Sequence, residues 1–172
     1  MKKLFFLLIA IVTLISCQED LIPEVINETS DEVNKSEILD LLNYNRTVQC
    51  EYVNPDGSGV LEYMDYKNLP ELEWNDNLFK AAEIQTLYMS NTGNFSHNWG
   101  DGTTLLDRLK MADAYYLPAG ENIACGMLTE KDVITAWINS EGHRKNILNK
   151  NFNIVAVAKK GKCWTMVLGY KL

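Results

Sequence analysis

Apolar side chains recur at helical spacing along much of the chain. Ile38, Leu39, Leu41, Leu42 and Tyr44 mark a helix over residues 36–48, with Ser36 as its candidate cap. Leu78, Phe79, Ala82, Leu87 and Met89 mark the clearest helix, residues 75–90, which Asn91-Thr92-Gly93 should end. Thr104-x-x-Asp107 has the form of a capping box and predicts a helix from Leu105 to Ala112. Val133, Ile134 and Trp137 turn one face of residues 129–139 inward, and Gly142 is positioned to close that helix. Strand signals are shorter: residues 121–125, the apolar run Ile154-Val155-Ala156-Val157 within 153–159, and residues 163–170. Gly161-Lys162 separates the last two, which therefore read as an antiparallel hairpin. Residues 51–70 carry Asn54-Pro55-Asp56-Gly57 and Gly59 and read as loop. Helices followed by a terminal hairpin predict an α+β fold.

The N-terminal pattern is different. Lys2 and Lys3 precede an apolar run, Leu4 to Ile15, interrupted only by Thr13. That run is shorter than the ~20 residues needed to span a bilayer, so residues 1–16 read as an export signal. Leu14-Ile15-Ser16-Cys17 resembles a lipobox, which predicts a lipid-modified Cys17. Two acyl chains at ~0.8 kcal/mol per buried CH₂ suffice for stable anchoring. The expected partner is thus a membrane, held through the lipid on Cys17. Residues 17–34 follow as an acidic tether, with Glu19, Asp20, Glu24, Glu28, Asp31 and Glu32 and no basic residue before Lys35. Acids directly after the lipid-carrying cysteine resemble the surface-export signals of Bacteroidota lipoproteins. The expected location is the cell envelope, at the outer membrane and exposed on its surface.

Residues 35–172 have the length of one domain with its own core. Removing Lys2 and Lys3, and no acid, takes the formal charge from −7 to −9. Such a charge argues against nucleic acid as a partner and against adsorption of the domain onto anionic lipid. Cys50, Cys125 and Cys163 remain in an oxidising compartment, enough for one disulfide and one thiol, and spacing alone does not choose the pair.

Both histidines of the chain lie in polar runs that a core does not require. His97 is in Ser96-His97-Asn98-Trp99-Gly100-Asp101-Gly102, and His143 is in Trp137-Ile138-Asn139-Ser140-Glu141-Gly142-His143-Arg144-Lys145-Asn146-Ile147-Leu148. Gly120-Glu121-Asn122-Ile123-Ala124 comes between them. With Leu72-Glu73-Trp74-Asn75-Asp76-Asn77-Leu78 and Ala81-Ala82 upstream, the order of these motifs resembles the bacterial branch of the CAP domain. That family of cysteine-rich secretory proteins, antigen 5 and pathogenesis-related proteins is also called SCP. The likeness covers roughly residues 36–172 and implies an α/β/α sandwich around a small, mainly antiparallel sheet.

In many family members a cleft is lined by two histidines and two acids. His97, Glu121 and His143 match three of these. The fourth position is Ser140, with Glu141 next to it, one ~100° helical step away. Asn122 would pin a loop at the cleft through its amide. Some eukaryotic members bind sterols or other lipids, so the resemblance implies a small amphipathic ligand. Two neutral imidazoles and a carboxylate also suit Zn²⁺ or another divalent metal with one position open to water. Such a site could hydrolyse cell-envelope or host material, although no residue is left as general base. The bland alternative is a buried His–Glu network that only holds loops together in a structural or adhesive surface protein. In that reading His143 satisfies carbonyls past a helix end, His97 bonds the Asp101-Gly102 turn, and Arg144 and Asn146 brace. Trp74, Trp137 and Trp164 are expected in the core and Trp99 at the cleft wall. No Gly-x-Ser-x-Gly elbow surrounds Ser96 or Ser140, and nothing around Cys125 lowers a thiol pKa. A binding module is therefore favoured over an enzyme.

Overall fold

In the computed structural model, residues 29–50, 52 and 69–172 are described. The expected export signal, Cys17, the acidic stretch up to residue 28 and Asn54-Pro55-Asp56-Gly57, read as loop, lie outside the described residues. The chain runs through α1 (Lys35–Asn43), a π-helical turn (Tyr44–Val48), β1 (Glu73–Trp74) and α2 (Asp76–Thr92). It continues through α3 (Leu105–Met111), β2 (Ala119–Cys125), α4 (Glu130–Asn139), α5 (Glu141–Ile147), β3 (Ile154–Lys160) and β4 (Cys163–Gly169).

The strands lie in the order β1-β3-β4-β2, with β3–β4 and β4–β2 antiparallel and the two-residue β1 parallel to β3. Alternation along β3 splits its side chains between two cores. Ile154, Ala156 and Ala158, with Val167 of β4, meet Leu78, Ala81 and Ala82 of α2 and Leu109 of α3. The small alanines let α2 approach the sheet closely. Val155 and Val157, with Trp164, Met166 and Leu168, meet Ile38 and Leu42 of α1, Val133, Ile134 and Trp137 of α4 and Ile147 of α5. Trp164, Met166 and Leu168 are fully buried, and burying each such side chain stabilises the fold by ~1.5–3 kcal/mol. The result is three layers, helix on sheet on helix, as the α+β reading and the family likeness imply.

Local signals hold where their hydrogen bonds are local. Asn75 caps α2 by accepting from the N–H groups of Asn77 and Leu78, and Gly93, at φ +70°, ends it. Thr104 and Asp107 form a reciprocal capping box at α3. Thr129 caps α4 through Asp132 N–H. Gly161, at φ +58°, turns the β3–β4 hairpin.

Several expectations need correction. Asn34, not Ser36, caps α1, its side chain accepting from Glu37 N–H, and the last turn of the expected helix relaxes into a π-helix. The helix at 129–139 is not closed by Gly142. Ser140 breaks it with extended backbone, at φ −95° and ψ 120°, and the chain re-enters a helix at once. His143 is therefore inside α5. The short β1, which the apolar pattern is too brief to reveal, pairs Glu73 with Ile154 and Trp74 with Val155.

The residues before α1, read from sequence as the end of the tether, are bonded to the domain. Asp31 N–H donates to Lys159 O at 2.7 Å, and the Asp31 carboxylate accepts from Gly161 N–H at 2.7 Å. Ser30 gives its N–H and hydroxyl to Glu83 at 2.9 and 2.7 Å. This stretch covers part of the β3 edge that the short β1 leaves open. Cys125 and Cys163, directly paired across β2 and β4, form the disulfide, and Cys50 is a buried thiol. Burial pushes that thiol up, with the Arg144 charge opposing the shift.

Candidate functional site

Glu121 enters the site from β2, which pairs it with Val167 of β4. Its residue exposure is only 8%, so its carboxylate needs partners. One oxygen lies 2.8 Å from His97 Nδ1 and the other 2.6 Å from an Nη nitrogen of Arg108. The sequence offers only the two histidines as partners. Arg108 is the residue it misses: it lies on α3, is fully buried, and also donates to His97 O at 3.1 Å. The one available signal was a cation beside Leu109, on the inward stripe of a short amphipathic helix.

His97 sits in the segment between α2 and α3, which α2 clamps. Gln85 donates its amide to Ser96 O at 2.8 Å and accepts from Trp99 Nε1 at 2.8 Å. Trp99 stacks on Tyr88 with ring centroids 4.5 Å apart, and Tyr88 Oη accepts from Gly100 N–H. Trp99 is thus a buried anchor for the His97 loop rather than an open cleft wall. The His97 ring bonds Glu121 instead of the Asp101-Gly102 turn, and its side chain remains 55% exposed.

His143, half-buried on α5, is held through its backbone. Asn122 donates its amide to His143 O at 3.1 Å, while Asn146 donates to Glu121 O at 3.2 Å and to Asn122 Oδ1 at 2.9 Å. Asn122 and Asn146 therefore lock β2 to α5. Gly120 makes that approach possible: a Cβ there would meet the Phe152 ring at 3.1 Å and Asn146 Oδ1 at 3.4 Å. Burial pushes the His143 imidazole below its ordinary value of 6.5, and the nearby His97 adds to the effect. The carbonyl-satisfying role considered for His143 falls to Arg144, which donates to Ile138 O at 2.7 Å and stacks over Tyr52 at 3.7 Å.

Ser140 joins α4 to α5 and is half-buried, without a side-chain capping bond. Glu141 is exposed and bonded to Lys145 one turn on, at 2.6 Å, so it does not replace the missing fourth acid. The expected Zn²⁺ or other divalent metal on His97, Glu121 and His143 does not fit this geometry. Among the described residues, no group of three or more His, Cys, Asp or Glu side chains is disposed to hold a metal ion. Both oxygens of Glu121 already have partners, and the Arg108 charge beside them repels a cation. What the site offers is an anchored, exposed imidazole near a second, half-buried one whose pKa burial lowers.

The model of the cysteine-rich secretory protein family (CAP) matches residues 39–167. Among curated proteins, the chain is 39% identical over 101 residues to the uncharacterized protein YkwD of Bacillus subtilis (strain 168), covering 58% of this chain and 39% of that one. It is 33% identical over 97 residues to the uncharacterized membrane protein YlbC of the same organism, covering 56% of this chain and 28% of that one. The chain thus spans well under half of either relative. Among solved structures, it resembles an extracellular protein containing a SCP domain from Bacillus anthracis str. Ames, with TM-score 0.65 and 31% identity, over 79% of this chain and 40% of that one. An outer surface protein from Borrelia burgdorferi shares the fold, with TM-score 0.56 and 20% identity, over 80% of this chain and 89% of that one. With the family model spanning most of its length and the three-layer fold matching, this chain belongs to the cysteine-rich secretory protein (CAP) family.

Proposed function

We propose that this CAP-family protein is a lipid-anchored binding module of the cell envelope. Cys17 carries the lipid and the acidic stretch spaces the domain from the membrane. The domain takes a small amphipathic ligand at the cleft formed by His97, Glu121 and His143. Two solved relatives of the fold are extracellular or outer-surface proteins, which agrees with that location.

One observation carries the binding reading: Glu121 is buried with both oxygens occupied, while the imidazole it holds is 55% exposed. A brace alone would have no reason to leave its imidazole open to solvent. A hydrolytic site would need Glu121 free to take a proton, and here it is engaged twice. Binding through His97, with Glu121 behind it, uses the parts as they lie.

The test is solvent extraction and mass spectrometry of the purified, detergent-solubilised full chain. A stoichiometric small amphipathic molecule is expected with the wild type and absent from His97→Ala. No ligand in the wild type, or equal amounts in both, overturns the reading. Ester or amide turnover lost in both His97→Ala and Glu121→Gln would replace it with the hydrolase. Variants that lose only thermal stability would make the cleft a brace.

A further inference from the structure

We infer that Arg108 is a positioning residue for the cleft: by holding Glu121 in place it fixes the proton of His97 on Nδ1 and so presents Nε2 as a hydrogen-bond acceptor. A carboxylate only accepts hydrogen bonds, so the 2.8 Å contact between Glu121 and His97 Nδ1 requires the proton on that nitrogen. In the neutral ring Nε2 then carries the lone pair, and on the exposed His97 side chain it is the nitrogen left for a ligand.

Arg108 acts on both parts of this pair at once. One Nη group bonds the Glu121 oxygen that His97 does not use, at 2.6 Å, and the other bonds the His97 backbone carbonyl, at 3.1 Å. The carboxylate and the imidazole-bearing segment are thus gripped by one rigid planar group, which a lysine's point charge does not reproduce. The third nitrogen, Nε, is buried without a hydrogen-bond partner among the described residues.

The consequence is a ligand class. A cleft whose exposed nitrogen is an acceptor selects a molecule that brings a hydroxyl or N–H donor to His97, and it does not reward a ligand whose polar end only accepts. A donor at Nε2 presupposes the binding role proposed above, whereas the tautomer does not, so the two fail separately.

The experiment is long-range proton–nitrogen correlation NMR on the ¹⁵N-labelled full chain in detergent, well above the ordinary histidine value of about 6.5. The chain has two histidines, so a His143→Gln spectrum assigns them. His97 of the wild type is expected as the single Nδ1–H form. Arg108→Met should give a mixture with the Nε2–H form, and Arg108→Lys a smaller admixture. A wild-type His97 found protonated on Nε2, or a folded Arg108→Met with the wild-type pattern, overturns the inference. If Arg108→Met does not fold, Arg108→Lys decides, because the single nitrogen of lysine does not span Glu121 and His97 O as the two Nη groups do: an unchanged tautomer there overturns it as well. A ligand extracted from the wild type that carries no donor removes the acceptor role while leaving the binding role intact.

Discussion

Arg46 and Arg108 are both buried guanidiniums, 1% and 0% exposed, and they do different work. Arg46, on the π-helical turn after α1, makes five hydrogen bonds to four backbone carbonyls: Pro70, Ile147, Asn149 and Phe152. All its donors are used and no carboxylate is among its partners. Burial lowers its pKa to about 10. Arg108 is paired with a carboxylate, leaves one donor unmet, and stands behind an exposed imidazole. A buried cation that ends on neutral carbonyls fastens chain segments together, here the end of α5 and the turn into β3. A buried cation that ends on a carboxylate whose other oxygen reaches a solvent-facing side chain is part of a site. Burial alone does not separate the two cases; the identity and exposure of the partners do.

Substitutions that exchange the two roles test the contrast. Arg46→Met should be the most damaging, costing about 3–5 kcal/mol in urea unfolding, because it strands several carbonyls at once. A cost below about 1 kcal/mol would mean that water replaces the arginine readily. Arg108→Met should cost somewhat less, about 3 kcal/mol, since the lost buried pair is partly offset by removal of an unmet donor. If it matched or exceeded Arg46→Met, the site arginine would also be the main structural fastener. His97→Ala should cost about 1–2 kcal/mol, because it leaves one oxygen of the buried Glu121 without its partner, while abolishing ligand retention. A large loss of stability would move His97 to the structural side of the comparison.

The smallest effect is on pH dependence. The folded His143 value lies below its ordinary 6.5, so the unfolded chain binds the proton more readily. Its contribution is fully present above that value and is lost as the pH falls from 6.5 through the folded pKa. His143→Gln should flatten the stability curve in that window, measured as urea midpoints across the acid range. An unchanged slope would show that His143 is solvated in the folded protein.

The comparison also shows which parts of the molecule a sequence can disclose. The Asn91-Thr92-Gly93 end of α2, the Thr104–Asp107 box and the Gly161 hairpin were legible because each is decided by bonds between residues a few positions apart. The α5 start was misread for the same reason. Gly142 has the composition of a helix end, yet Arg144 N–H bonds Ser140 O at 2.8 Å and starts a new turn. The two-residue β1 carries no period to detect and exists because β3 is there to pair with it. Site residues His97, Glu121 and His143 stood out because their motifs are polar where a core would be apolar. Arg108 did not, since a cation on a short helix is ordinarily solvated.

By itself, the order of apolar and polar residues determined the main helices, the terminal hairpin, the α+β class and the motifs that carry the histidines and Glu121. Those outcomes depend on short-range hydrogen bonds and on which side of an element is greasy. Tertiary structure alone decided that Cys125 rather than Cys50 meets Cys163, that Arg46 closes on carbonyls more than 100 residues away, and that Arg108 occupies the second oxygen of Glu121. Partner choice among buried polar groups depends on which side chains the packed layers bring within about 3 Å, and no local pattern encodes that distance.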